Sequence, residues 1–281
     1  MTGIIDIGSN TIRLVIYENG KKIKNIGLRS DIIYDTQNGI LSEKGIENLC
    51  NSILFLTSKA ENIIVYALAT EAIRVLSNKE EVKDKIFKKT GLEIEILSGE
   101  EEAECVYLGV SQEIKEKNGI CIDLGGGSLE SIIFENDEIT NINSYSIGCK
   151  KIKKDFVKGE FPTDEEIKDI EAFIEENVKK YNSSGNMYIV GGTAKTALKI
   201  YNYIKGENQS LIKTTDFENI LGFIKNTPTE KLKELFKNRY DNIAVGIIIM
   251  KKIAEIYEKN EVYIKKNGVR EGYLIKKEMN N

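Results

Sequence analysis

Short apolar runs alternate with longer stretches of helical periodicity along the whole chain. The first half opens with strands expected over 3–6, 12–18 and 21–29, joined by tight turns. Ile46, Leu49, Cys50, Ile53 and Leu54 share one face of a helix expected over 42–58. The apolar run 63–69 predicts a central, parallel strand. A short helix runs through Ala72 and Ile73, and Ser77 with Glu80 reads as the capping box of a further helix ending before Gly91. A strand over 92–97 and a helix over 100–110 follow.

The second half repeats the order. Strands are expected over 119–124, 129–134 and 138–144, then helices over 150–157 and 163–181, the latter with a Thr163/Glu166 capping box. A strand over 187–190 leads through Gly191-Gly192-Thr193 into a helix over 194–203. Helices over 216–225 and 229–236, parted by Pro228, read as an insertion. A long helix over 241–258, a strand over 261–264 and a helix from 270 close the chain, with 276–281 as a fraying tail. Three hairpin-linked strands followed by alternating helices and strands, twice over, predict two mixed-sheet α/β domains facing each other across a cleft. The expected domains are 1–117 and 118–281, with the polar stretch 111–118 as the junction.

Composition narrows the chemistry. The 281 residues suffice for two domains with a core each, and 41% hydrophobic with 30% charged residues suits a soluble protein. A net charge of −4 argues against nonspecific nucleic-acid binding. Cys50, Cys105, Cys121 and Cys149 form no CxxC pair and read as reduced core residues of a cytoplasmic protein. No stretch reaches membrane-spanning length, and the N-terminus enters a strand with no charged leader, so no membrane partner and no export signal are expected. Histidine is absent, which excludes Ser-His, Cys-His and His-metal chemistry. Catalysis would fall to carboxylates, Lys, Arg, backbone amides and a hard metal ion.

Two turns supply those groups. Asp123-Leu124-Gly125-Gly126-Gly127-Ser128-Leu129-Glu130 is strand, glycine turn, strand, with amides unscreened by side chains. Carboxylates at both ends of a phosphate-sized turn suggest Mg²⁺ and a positioned water. Asp6-Ile7-Gly8-Ser9-Asn10-Thr11 is built the same way, and the pair suggests an internal duplication.

These turns belong to a longer set: Asp6 to Leu14, Ala69-Thr70-Glu71-Ala72-Ile73-Arg74, Ser98-Gly99-Glu100-Glu101-Glu102-Ala103, Asp123 to Glu130, Gly191-Gly192-Thr193-Ala194, and Gly268-Val269-Arg270-Glu271-Gly272. With all six in order, the chain resembles the exopolyphosphatase/guanosine pentaphosphate phosphohydrolase family, within the actin-like, sugar-kinase and Hsp70 superfamily. The resemblance implies two duplicated ribonuclease-H-like domains with five-stranded mixed sheets and an active site in the cleft between them. It implies Mg²⁺-dependent release of terminal phosphate from polyphosphate or guanosine pentaphosphate. It also implies that homodimers are common. Larger members carry an extra helical domain, which is not expected in a chain of this length.

Carried onto this sequence, the resemblance makes Glu101 the general base, although Ser98 to Glu101 is also a capping box. Asp123 and Glu130 fall to the metal and its waters, with Asp6 in the same shell; otherwise they are a turn-capping Asp and a solvated strand Glu. Arg74 is the phosphate clamp, or a surface helix arginine. Gly8, Ser9, Asn10, Thr11, Gly125, Gly126, Gly127, Ser128, Gly192 and Thr193 cradle phosphate. Arg13, Arg270 and Lys195 are read as structural or solvated, Arg13 with a carboxylate partner expected. Glu71 stands where many relatives have Ser and Leu129 where many have Thr, while 29–35 matches the pattern poorly. A superfamily kinase and a noncatalytic sensor of guanosine tetraphosphate are the rival functions.

Overall fold

A computed structural model of the chain describes residues 1–236 and 239–279. Its backbone contacts divide into two compact units, Met1–Glu102 and Ala103–Asn281.

The first unit begins with β1 (Thr2–Ile7), β2 (Thr11–Glu18) and β3 (Lys21–Arg29). Next come α1 (Ile32–Asp35), the small pair β4 (Thr36–Gln37) and β5 (Ile40–Leu41), α2 (Glu43–Thr57), β6 (Ile64–Ala69), α3 (Glu71–Arg74), α4 (Lys79–Thr90) and β7 (Ile94–Ile96). Its five-stranded sheet runs β3-β2-β1-β6-β7. The first three strands are antiparallel neighbours, and β1, β6 and β7 are parallel. Ile4 and Ile5 of central β1 are fully buried on opposite faces. The Ser42 side chain caps α2, accepting from the Gly45 amide at 3.1 Å. That helix buries Leu56 rather than Leu54, which is 37% exposed.

The helix α5 (Gly99–Ser111) begins in the first unit and continues into the second. There follow β8 (Gly119–Leu124), β9 (Leu129–Glu135), β10 (Glu138–Tyr145), α6 (Cys149–Phe156), α7 (Asp164–Asn177), β11 (Asn186–Val190) and α8 (Gly192–Lys205). The chain ends with β12 (Leu211–Lys213), α9 (Phe217–Asn226), α10 (Thr229–Phe236), α11 (Ile243–Ile256), β13 (Glu261–Ile264) and α12 (Val269–Met279). This sheet runs β10-β9-β8-β11-β13-β12. Five strands repeat the connectivity of the first sheet, so the expected duplication stands. The sixth, β12, corrects the five-stranded expectation; three residues are too few to show alternation.

The units part inside α5, earlier than the junction expected at 111–118. Within the second unit α5 and α12 lie so close that a Cβ on Gly272 would stand 1.7 Å from the Cys105 carbonyl oxygen. Glu113 is tied to the turn before α12, accepting from the Lys266 amide at 3.1 Å and the Asn267 amide at 2.5 Å.

Two local expectations are overturned. The cap of α4 is Asn78, not Ser77 with Glu80, and the Asn78 Oδ1 accepts the distant Leu41 amide at 3.0 Å. The expected tail is helical as far as Met279, with Lys276 bonded to Glu104 at 2.8 Å; residues 280–281 lie outside the described residues. The Thr163/Glu166 box is present. All four cysteines are buried and no disulfide joins them. No described helix is long and apolar enough to cross a membrane.

Candidate active site

In the first unit, β1 and β6 end side by side, the Thr70 amide donating to the Ile7 carbonyl at 3.4 Å. The turn after β1 closes when the Gly8 amide donates to the Thr11 carbonyl at 3.2 Å, and Asp6 lies opposite Arg13 in the register. The Asn10 carbonyl receives the Ser30 amide at 3.1 Å. Helix α3 follows β6 directly, so its side chains stand beside this turn. Buried Ser9 donates its hydroxyl to Oε2 of buried Glu71 at 3.3 Å. Arg13 donates to the Asn25 side-chain oxygen at 2.5 Å, an amide partner on the neighbouring strand.

Arg74 closes α3. Its Nη1 donates to the Leu97 carbonyl at 2.9 Å and to Glu102 Oε2 at 2.8 Å. Glu102 carries no role in the sequence reading, yet it is buried and is a countercharge of Arg74. Its neighbour Glu101 is exposed and completes a capping box. Its Oε2 accepts from the Ser98 amide at 2.8 Å, and its own amide donates to Ser98 Oγ at 3.1 Å. One helical step, about 100°, thus separates a solvent-facing carboxylate from an ion-paired one.

In the second unit, Asp123 and Glu130 are directly opposed in the antiparallel β8–β9 pair. Directly opposed residues point to the same face of a sheet. Glu130 is 1% exposed and accepts the Ser144 hydroxyl at 2.8 Å. The turn between them closes through the Gly125 amide and the Ser128 carbonyl at 3.0 Å. Its carbonyls are taken by α6: Cys149 donates to Gly125 at 3.1 Å, and Lys150 and Lys151 to Gly126 at 2.9 and 3.1 Å. No peptide is cis. In a trans peptide the N–H points opposite to the C=O. The amides of Gly126 and Gly127 therefore point together, away from α6, which is an anion-binding arrangement. Gly148 permits the contact, since a Cβ there would lie 2.3 Å from the Gly127 nitrogen.

The start of α8 adjoins this hairpin. Gly191 adopts φ +104°, and a Cβ there would be 3.1 Å from Asp123 Oδ1. The Asp123 carboxylate thus lies by a helix N-terminus, where negative charge is favoured. Arg239, absent from the sequence reading, lies over the same turn. Its guanidinium occupies the space a Gly192 side chain would take, with Nη1 3.5 Å from Thr193 Oγ1. It falls in a stretch without periodicity, so no pattern could find it. Thr193 also receives the Cys149 thiol at 3.5 Å, and burial pushes that thiol up to about 11, so it stays protonated and unreactive. Lys195 donates to the Lys266 carbonyl at 2.7 Å.

Among the described residues no group of three or more acidic, His or Cys side chains could hold a metal alone. Mg²⁺ is commonly held by one or two carboxylates together with substrate phosphates. Asp123 and Glu130, on one face beside outward amides, fit an ion held in that shared way.

The family model of the Ppx/GppA phosphatase family matches residues 20–281. The chain belongs to that family. It is 28% identical to the bifunctional 3-dehydroquinate synthase/phosphatase of Fusobacterium nucleatum, over 96% of this chain and 46% of that protein. It is 26% identical to exopolyphosphatase 1 of Mycobacterium tuberculosis, over 57% of this chain and 50% of that protein. The chain spans about half the length of these curated relatives. The crystal structure of the Aquifex aeolicus Ppx/GppA family member superposes with a TM-score of 0.78 at 27% identity, covering 99% of this chain and 97% of that one. As a Ppx/GppA protein the chain has the duplicated α/β fold that its motifs imply.

Proposed function

We propose that this Ppx/GppA protein is a Mg²⁺-dependent hydrolase that releases terminal phosphate from inorganic polyphosphate or guanosine pentaphosphate. The observation that carries the proposal is the parallel pair of outward amides at Gly126 and Gly127, set between Asp123 and Glu130. Such donors stabilise the charge that builds on a phosphoryl group in transfer.

Glu101 is the general base: it orients a water and takes its proton, while the cap at Ser98 fixes its side chain. Arg74, held by Glu102, and Arg239, held over α8, present guanidinium groups to phosphate oxygens. Gly8, Asn10 and Thr11 of the first turn, and Gly125, Ser128, Gly192 and Thr193 of the second unit, complete the donors. The Ser9 hydroxyl is directed to Glu71, so this turn works chiefly through its backbone. Bound Mg²⁺, carried by Asp123 and Glu130 with Asp6 on its waters, would supply charge neutralisation. Four buried thiols without a disulfide suit work in the cytoplasm.

The deciding experiment is phosphate release from polyphosphates of several lengths, guanosine pentaphosphate and ATP, with and without Mg²⁺. Release from the first two, dependent on Mg²⁺, is expected. Preferential transfer from ATP would favour a kinase, and binding without release a sensor.

A further inference from the structure

Charged side chains are almost never fully buried unless paired. Among the described residues of the second unit, three are nearly inaccessible: Glu130 at 1%, Lys150 at 2% and Glu271 at 7%. Glu271 caps α12, its Oε2 accepting the Gly268 amide at 2.8 Å. The Ser144 hydroxyl on Glu130 is a neutral donor and brings no positive charge. Lys150 starts from the same glycine turn, with its amide on the Gly126 carbonyl at 2.9 Å. Asp123 and Glu130 are the two ends of that turn. The flexible four-carbon stem of lysine is suited to carry an ammonium from the Gly126 anchor to either end.

We infer that the Lys150 ammonium is the resident countercharge of the Asp123–Glu130 carboxylates. Two acids on one face of a hairpin repel each other unless a cation stands by them. With Lys150 present the group carries one net negative charge rather than two before any ligand arrives. The ammonium also serves as a point-charge donor toward phosphate. A metal ion binding there shares the acids with a lysine instead of meeting them bare. The pairing rests on burial and charge alone; its use in turnover rests on the proposed function.

The test is a double-mutant cycle on the unliganded full chain, read as Tm. Lys150→Met is expected to lower Tm by about 5–10 °C, because it leaves the buried Glu130 carboxylate without its countercharge, whereas Glu130→Gln lowers it less, since Asp123 still faces the ammonium. The double variant is expected to recover most of the loss. A double variant that loses as much as Lys150→Met or more would overturn the pairing. If Lys150→Met fails to fold, the double variant decides: its folding supports the pair and its failure overturns it. Millimolar Mg²⁺ without phosphate should raise the Tm of Lys150→Met well above any shift in the unaltered protein. Equal shifts would overturn the role as countercharge. Phosphate release is measured separately, so an intact cycle without turnover sinks the proposed function and leaves this pairing standing.

Discussion

Arg74 on α3 and Glu102 in the first turn of α5 meet at 2.8 Å, and both are largely withdrawn from solvent. The pair fixes the guanidinium proposed to hold phosphate, and it uses a residue adjacent to the proposed base. Glu102→Ala removes a countercharge of a mostly buried arginine. It is expected to cost about 3 kcal/mol in urea unfolding and to raise KM more than it lowers kcat. Unchanged stability would show that Arg74 is held by other groups.

Glu101 has two roles that one substitution separates. Gln also serves at the third position of a capping box. Glu101→Gln should therefore keep stability within about 0.5 kcal/mol and retain substrate binding, while kcat falls about 10²–10⁴-fold. Glu101→Ala should lose the cap as well, about 1 kcal/mol more. Calorimetric binding beside steady-state rates distinguishes the two. Turnover surviving in Glu101→Gln would remove it as the base.

Gly148 holds the glycine turn against α6. Gly148→Ala places a methyl group where backbone already stands, so α6 must withdraw from the Gly125 and Gly126 carbonyls. Stability should fall by about 1–3 kcal/mol, and pyrophosphate affinity should fall with it. A variant with native affinity would show that the amide pair does not bind phosphate.

Cys149 links stability to alkaline pH. Burial pushes its folded pKa up to about 11, above the ordinary thiol value of 9.0, so the folded state keeps a proton that the unfolded state releases. The contribution is complete below about pH 9 and disappears as pH rises to about 11, with a slope near 1.4 kcal/mol per pH unit at most. Urea midpoints should fall across that window, and less steeply in Cys149→Ala. Equal slopes would mean the thiol is not buried in solution.

The sequence reveals what local chemistry determines. The Thr163/Glu166 box lies within one turn of chain and is found as read. The two halves repeat because strand alternation and helical spacing are local patterns. The Ser77/Glu80 box fails because Asn78 is drawn to Leu41, 37 residues away. Helix α1, at four residues, and the two-residue strands β4 and β5 each hold only about one period, too little to show a repeat. Glu102 and Arg239 acquire their positions only when Arg74 and α8 arrive beside them. The mixed acid string before Ala103 shows that one acid caps a helix, but not which neighbour is ion-paired.

The three amides of α6 that grip Gly125 and Gly126 bear on how an anion is received. A loop whose carbonyls are already satisfied need not reorient its peptides when charge arrives, so capture should be rapid and nearly athermal in backbone terms. Mutational tuning of this site would then fall on the backbone anchors at the start of α6, behind the loop that receives the anion.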